Sequence, residues 1–404
     1  VLMASIIGFL VWKDRDEVQR HSILIYRRTQ KGVEYIDDIA NLSPRFWNIY
    51  AWTGVLLALI SIPLVLYQIG ISFSTMLSTK STTGGPSFIA PGLSSNAKFQ
   101  SGISFIPAEA WILGIAILMV VHELSHGIIA RIEDFEINSV GWVIFGIIPG
   151  AFVEPKGENM LPEKGESIEE AQKRSSDEKG LWDQGDWKSR LKVLSAGSFA
   201  NYLTGLAIIL AAMSIFTTVT QPAGVPYAAF EGKPAAEAGL DNGTLYAIDG
   251  ERVRFTEEVL KIGNTIEVNE TVKVWTSEGN FTIVAARING SEHGYIGVGL
   301  PKMKGFFPTL SAMVNNSRVI KSQYAEYQGF LEWFITTLEL VALLNVVVGF
   351  FNMLPAKPLD GGQIIDTLLE RFIPSLRSYL NYWSLLIWVA IISSMVISIG
   401  SSLI

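Results

Sequence analysis

Cysteine is missing from all 404 residues, so neither a disulfide framework nor a thiolate metal site is open to this chain. Any zinc-like ion must be held by histidine and carboxylate. Charge is scarce too: 17% of the residues are Asp, Glu, Lys or Arg, against 49% hydrophobic ones, which is too apolar a balance for an ordinary soluble protein. The net charge of −7, without a basic patch interleaved with aromatics, argues against nucleic acid as a partner. Histidine occurs only four times, which makes the position of each one informative.

What is present instead is a series of long apolar runs. Residues 47–71, 108–130, 191–219, 330–354 and 382–404 each reach the ~20 residues needed to cross a bilayer. Residues 1–12 are apolar but shorter and begin without Met, which gives the expectation of a truncated chain or an incomplete further span. The expected fold class is an α-helical polytopic membrane protein with about six transmembrane helices, an integral component of the cell membrane in contact with the lipid bilayer. Residues 1–107 form an N-terminal membrane and cytoplasmic segment, in which 22–26 and 33–36 are candidate short strands.

Two of the four histidines stand four apart inside the run 108–130, as His122-Glu123-Leu124-Ser125-His126. Residues at that spacing lie on one helical face about one turn apart, so both imidazoles can reach one metal ion with Glu123 beside them as a base. Ionisable groups in hydrocarbon are costly, and their default reading is functional. A catalytic zinc takes three protein ligands and leaves a fourth position open. Glu133, Glu136 and Glu154 lie in or beside extramembrane turns, whereas Asp360 follows an apolar helix directly and is succeeded by Gly361 and Gly362, which leave backbone room. Asp360 is the better third donor.

Lys and Arg in the loops set an orientation. Segment 13–46 carries seven of them and loop 72–107 only two, so the first is cytoplasmic. Alternation then puts loop 154–190 on the cytoplasmic side and 221–329 outside. It also brings His122, His126 and Asp360 to one depth, toward the cytoplasm. Residues 139–153 are apolar but broken by Gly and Pro and rich in β-branched side chains, the pattern of a re-entrant β-hairpin buried against protein. In that hairpin Val143, Ile144 and Phe145 are expected to offer a strand edge to an extended peptide segment. Residues 221–300 turn soluble and β-rich, with alternation in 271–275 and 281–284 and turns at Asp249-Gly250 and Glu278-Gly279. The zinc-binding core is thereby expected in two parts, 108–219 and 330–380, around an inserted extracytoplasmic domain, with 382–404 as a C-terminal span.

At these residues the chain resembles the site-2 protease family of intramembrane zinc metalloproteases. The resemblance rests on His122-Glu123-Leu124-Ser125-His126 and on the NxxPxPxDG-like stretch Asn352-Met353-Leu354-Pro355-Ala356-Lys357-Pro358-Leu359-Asp360-Gly361. An AGPxxN-like stretch, Ala196-Gly197-Ser198-Phe199-Ala200-Asn201, has Ser198 where the family has Pro. The insertion resembles the PDZ domain of prokaryotic members through Gly232-Lys233-Pro234-Ala235-Ala236-Glu237-Ala238-Gly239-Leu240 and Gly294-Tyr295-Ile296-Gly297-Val298. The resemblance implies one Zn2+ per chain on His122, His126 and Asp360, with Glu123 as catalytic base. It also implies that Asn352 and Asn201 hold substrate backbone, that the substrates are transmembrane proteins, and that a PDZ-like domain holds a substrate or regulator. The alternative is an inactive membrane-anchored PDZ receptor with a structural metal site, against which the intact Glu123 argues.

Overall fold

A computed structural model describes residues 18–21, 24–79, 88–92, 98–99, 103–145, 148–155, 166–167, 169–170, 173, 185–287, 293–299 and 318–402. Its α-helices in chain order are α1 (Lys31–Leu42), α2 (Pro44–Thr79), α3 (Ala108–Ile132), α4 (Trp187–Val219), α5 (Pro234–Glu237), α6 (Thr256–Gly263), α7 (Gln328–Asn352), α8 (Asp360–Phe372) and α9 (Leu380–Ser402). Among the described residues, α2, α3, α4, α7 and α9 belong to five helical segments long and apolar enough to cross a membrane. The protein is a polytopic membrane protein. Residues 1–12, the candidate for a further span, lie outside the described residues.

The chain divides into two compact units, residues 1–208 with 340–404, and residues 209–339. In the first, strands β1 (Gln19–His21) and β2 (Leu24–Thr29) precede α1, and β3 (Phe88–Gly92), β4 (Lys98–Phe99) and β5 (Ile103–Pro107) form a small sheet just before α3. After α3 the chain makes the antiparallel pair β6 (Ile137–Phe145) and β7 (Ile148–Pro155). Helix α3 stops where Asp134 takes φ 62° and the N–H groups of Phe135 and Asp134 bond back to the carbonyls of Ala130 and Arg131. That left-handed stop satisfies the last carbonyls and turns the chain straight into the hairpin.

The expected hairpin 139–153 is therefore seen as β6 and β7, but it belongs to a four-stranded sheet in the order β1-β2-β6-β7. Strand β2 pairs along β6 from Leu24 opposite Phe145 to Thr29 opposite Val140. A clamp ties β2 to β7 across β6: Arg28 donates to both carboxylate oxygens of Glu154 at 3.0 and 2.9 Å, and Ser139 Oγ donates to Glu154 at 2.8 Å. The candidate strand at 33–36 is corrected to part of α1. Val33, Ile36 and Ala40 recur at helical spacing and face Ile128, Ile129 and Ala130 of α3. Four residues were too short a window to separate a period of two from one of 3.6.

The second unit is β-rich. Strands β8 (Thr220–Pro222), β9 (Val225–Ala229), β10 (Asn242–Ile248), β11 (Glu251–Arg252), β12 (Thr271–Thr276), β13 (Gly279–Val284), β14 (Ala286–Arg287), β15 (Gly294–Tyr295), β16 (Val298–Gly299) and β17 (Arg318–Ile320) follow in order. Its main sheet runs β13-β12-β10-β9-β16, with β11 on β10. Val272 and Val274 alternate inward from β12 onto a core with Leu245, Ile248 and Ile283, as the period-two reading anticipated. The turn at Asp249-Gly250 places both residues at positive φ, 47° and 86°, the conformation that a two-residue hairpin turn demands.

Candidate metal centre

Helix α3 presents His122 and His126 on one face, with their Nε2 atoms 3.0 Å apart. Asp360, the first residue of α8, completes a triangle: its Oδ2 lies 3.4 Å from His122 Nε2 and 3.5 Å from His126 Nε2. Donors held about 2.0–2.1 Å from a tetrahedral ion stand roughly 3.3 Å from one another. The triangle has the right size for zinc. Asp360 Oδ2 has no hydrogen-bond partner although it is buried, and two imidazole nitrogens facing each other at 3.0 Å need a cation or a proton between them. Among the described residues these three make the one such group of metal-ligating side chains. Burial alone would raise the Asp360 carboxyl, but the facing His126 and His122 rings outweigh it and hold the carboxyl below the usual range.

The ligands are set by what packs behind them. Helix α4 supplies Val193, Gly197 and Asn201, three positions four apart and so one row of its surface. The Val193 carbonyl accepts from His126 Nδ1 at 2.7 Å, which leaves Nε2 of that ring free for a metal. At Gly197 a Cβ would lie 2.6 Å from His122 Cε1 and closer still to His126 Nε2. Only glycine leaves room for both rings. Ser125, between the two histidines, donates to the Ala196 carbonyl at 2.9 Å and bonds the Tyr50 hydroxyl at 2.8 Å, joining α2, α3 and α4.

Asp360 is aimed by a stapled loop. Glycines 361 and 362 let the start of α8 press on the preceding loop, because a Cβ on either would strike the Met353 or Ala356 backbone. Lys357 N–H donates to Ser384 Oγ at 3.0 Å, and Trp388 Nε1 donates to the Lys357 carbonyl at 2.9 Å. Both anchors sit on α9. The Lys357 ammonium reaches Asp366 at 2.8 Å, and Arg377 pairs with the same carboxylate at 2.9 Å.

The other expected site residues divide. Glu123 accepts the main-chain N–H of Val153 at 3.2 Å, which places it beside the metal ligands with its carboxylate against β7. Asn352 stands at the end of α7 with Nδ2 3.5 Å from His122 Nε2, on the metal side of the ring. Asn201 is wholly buried and bonds the opposite face of the site, His122 Nδ1, at 3.2 Å. It has no exposed surface in this structure. Val143, Ile144 and Phe145 lie on β6, whose two sides are taken by β2 and β7. The expectation that these three offer a free edge is corrected, since a strand paired on both sides has no ladder groups to give. Among the described residues the outer strands of this sheet are β1 and β7, and β7 is the one next to β6. Val193, Ser384 and Trp388 went unread because main-chain carbonyls and single hydrogen-bonding side chains on apolar helices carry no pattern in sequence. Gly197 was legible only as part of the AGPxxN-like stretch.

A model described as peptidase family M50 matches residues 110–393. The chain is similar to an uncharacterized protein of Methanocaldococcus jannaschii, 25% identical over 308 residues that cover 71% of this chain and 70% of that protein. It is also similar to a protein of Clostridium perfringens, 25% identical over 65% of this chain and 87% of the relative, and to one of Mesorhizobium japonicum, 22% identical over 64% and 87%. Both bacterial relatives carry the name "putative zinc metalloprotease".

Proposed function

This chain belongs to peptidase family M50, and from that premise we propose that it is an intramembrane zinc metalloprotease that hydrolyses peptide bonds within the transmembrane segments of membrane-protein substrates. The observation that carries this reading is the His122, His126 and Asp360 triangle of 3.0, 3.4 and 3.5 Å with Glu123 one residue from the first ligand. Bound there, zinc supplies Lewis acidity for the scissile carbonyl and acidifies water. His122, His126 and Asp360 hold the ion. Glu123 takes the proton from the attacking water and returns it to the leaving amine, so water's hydroxyl ends on the acyl product and its proton on the new amino terminus. The Val153 N–H holds the Glu123 carboxylate toward β7, and the Asn352 amide, beside His122 Nε2, holds substrate backbone.

A helical substrate must unwind before a carbonyl is accessible, and extended backbone in lipid needs a strand to satisfy it. The β6–β7 hairpin, read as re-entrant, provides that strand through β7. Orientation follows from the loop charges, with the metal site toward the cytoplasm and the β-rich insert outside, where it acts as a PDZ-like holder of substrates or regulators. Cysteines placed at Lys188 and Ser277 should be labelled from opposite sides by an impermeant thiol reagent, and same-side labelling overturns the topology.

The deciding experiment incubates purified protein in proteoliposomes with a membrane-spanning peptide and measures bound zinc in the same samples. Wild type should cleave the peptide. Glu123→Gln should lose roughly 10²–10⁴-fold in rate while keeping about one zinc per chain. A zinc-loaded wild type inert toward every membrane-spanning peptide would favour the receptor reading, in which the metal only braces the helices.

A further inference from the structure

The two metal-binding imidazoles are oriented by one row of α4, and the row assigns a role to Asn201. The inference rests on the metal reading of His122, His126 and Asp360. His122 turns Nε2 toward His126 Nε2 and Asp360 Oδ2, so Nε2 is the nitrogen that must keep its lone pair for a metal. A neutral imidazole with a free Nε2 carries its proton on Nδ1. That proton needs an acceptor.

Opposite Nδ1, at 3.2 Å, stands the Asn201 amide, with its NH2 group toward the ring. Two donors then face each other. The amide oxygen, meanwhile, is buried and has no partner, and the whole residue has no exposed surface. Amide oxygen and nitrogen have almost the same shape, and which is which is assigned by the surrounding hydrogen bonds. A half-turn about the Cβ–Cγ bond brings Oδ1 to the ring, where it accepts the Nδ1–H of His122, and the clash of donors disappears.

We propose that Asn201 is the positioning residue of His122, its Oδ1 accepting the Nδ1–H and thereby fixing the ring's tautomer and its aim at the metal. His126 is treated in the same way two turns earlier on the same row, where the Val193 carbonyl accepts from Nδ1 at 2.7 Å. Gly197, midway between Val193 and Asn201, provides the space that lets both rings lie against the helix. One face of α4 thus sets both nitrogens, and Asn201 is the part of it that a side chain supplies. Partners of this kind change metal affinity about 10- to 100-fold when removed.

The test compares Asn201→Leu, which keeps the shape and removes the acceptor, with Asn201→Asp, which keeps an oxygen at the ring and offers no donor. Zinc dissociation constants of the metal-stripped full chain are measured by chelator competition, and the 15N shifts of the His122 ring are read in the metal-free state. Asn201→Leu should bind zinc about 10- to 100-fold more weakly and should lose the Nδ1–H form of His122. Asn201→Asp should bind at least as tightly as wild type and keep that form, a rescue that a merely space-filling role does not produce. Wild-type affinity in Asn201→Leu overturns the proposal. So does an Asn201→Asp variant as weak as the leucine one, since the amide NH2 would then be what the ring requires. A wild type that takes up no zinc defeats the metal reading instead, and the ring shifts still decide whether Asn201 accepts from His122.

Discussion

The main-chain N–H of Val153 donates to Glu123 Oε2 at 3.2 Å, and this one bond sets the phase of the strand beside the site. Antiparallel pairs alternate between bonded and non-bonded residues. If Val153 points its N–H away from β6, then so do its alternate neighbours Ala151 and Pro149. Pro149, which has no N–H to give, stands opposite Ile144, at a position where the ladder asks for none. The outward groups of β7 are therefore the N–H and C=O of Ala151 and the carbonyls of Pro149 and Val153.

Ala151→Pro should remove the N–H that an added substrate strand would meet and leave the β6 ladder whole. The expected outcome is a fall of about tenfold in kcat/KM for a membrane-spanning peptide, the worth of one hydrogen bond of ~1–1.5 kcal/mol, with zinc content unchanged. Phe152→Pro, on the inward phase, should disrupt the hairpin itself. Equal cleavage by Ala151→Pro and wild type would show that substrate does not pair with β7.

Gly197→Ala puts a methyl group where the two imidazole rings lie. Zinc affinity should drop at least tenfold, because the rings can move only by leaving the donor triangle. Gly70→Ala on α2, where a Cβ meets nothing within 4 Å, is the matched control and should bind zinc as wild type does. Chelator competition on both variants separates a local effect from a general weakening of the helices.

Ser384→Ala and Trp388→Phe each remove one staple from Lys357. Each should cost about 1 kcal/mol of stability, and together they should weaken zinc binding while leaving the two histidines in place, because the loop they hold carries Asp360. An unchanged zinc dissociation constant in the double variant would mean that α8 alone aims the carboxylate.

Asp366 carries a pH dependence of known sign. Burial alone would raise its carboxyl, but hydrogen bonds from Arg377 and Lys357 outweigh that and hold it below the ordinary carboxylate value. A depressed pKa contributes stability that is fully present above the unfolded value, about 3.9, and is lost as pH falls through the folded one. Asp366→Asn should therefore lower stability at neutral pH and flatten its decline on acidification, as followed by thermal unfolding between pH 6 and 3. Parallel acid limbs in the two proteins would contradict the assignment.

Sequence alone was enough wherever the decisive interaction is local or periodic. Two histidines four apart on an apolar helix must share a face, five apolar runs must pack in lipid, and alternation in 271–276 must make a strand with one side buried. The sequence reading named Asp360 beside the two histidines, and the structure groups these three side chains. What tertiary structure decided are relations without a local signature. The pairing of β2 with β6 joins residues more than a hundred positions apart and leaves β7, not β6, as an outer strand among the described residues. The burial of Asn201 against His122 Nδ1, on the side of the ring away from His126 and Asp360, was likewise visible only in three dimensions. Ser384 and Trp388, on a span with no motif, hold the loop that precedes Asp360. A hydrogen bond across a fold leaves no period along the chain, so its partners are fixed only when packing brings them together.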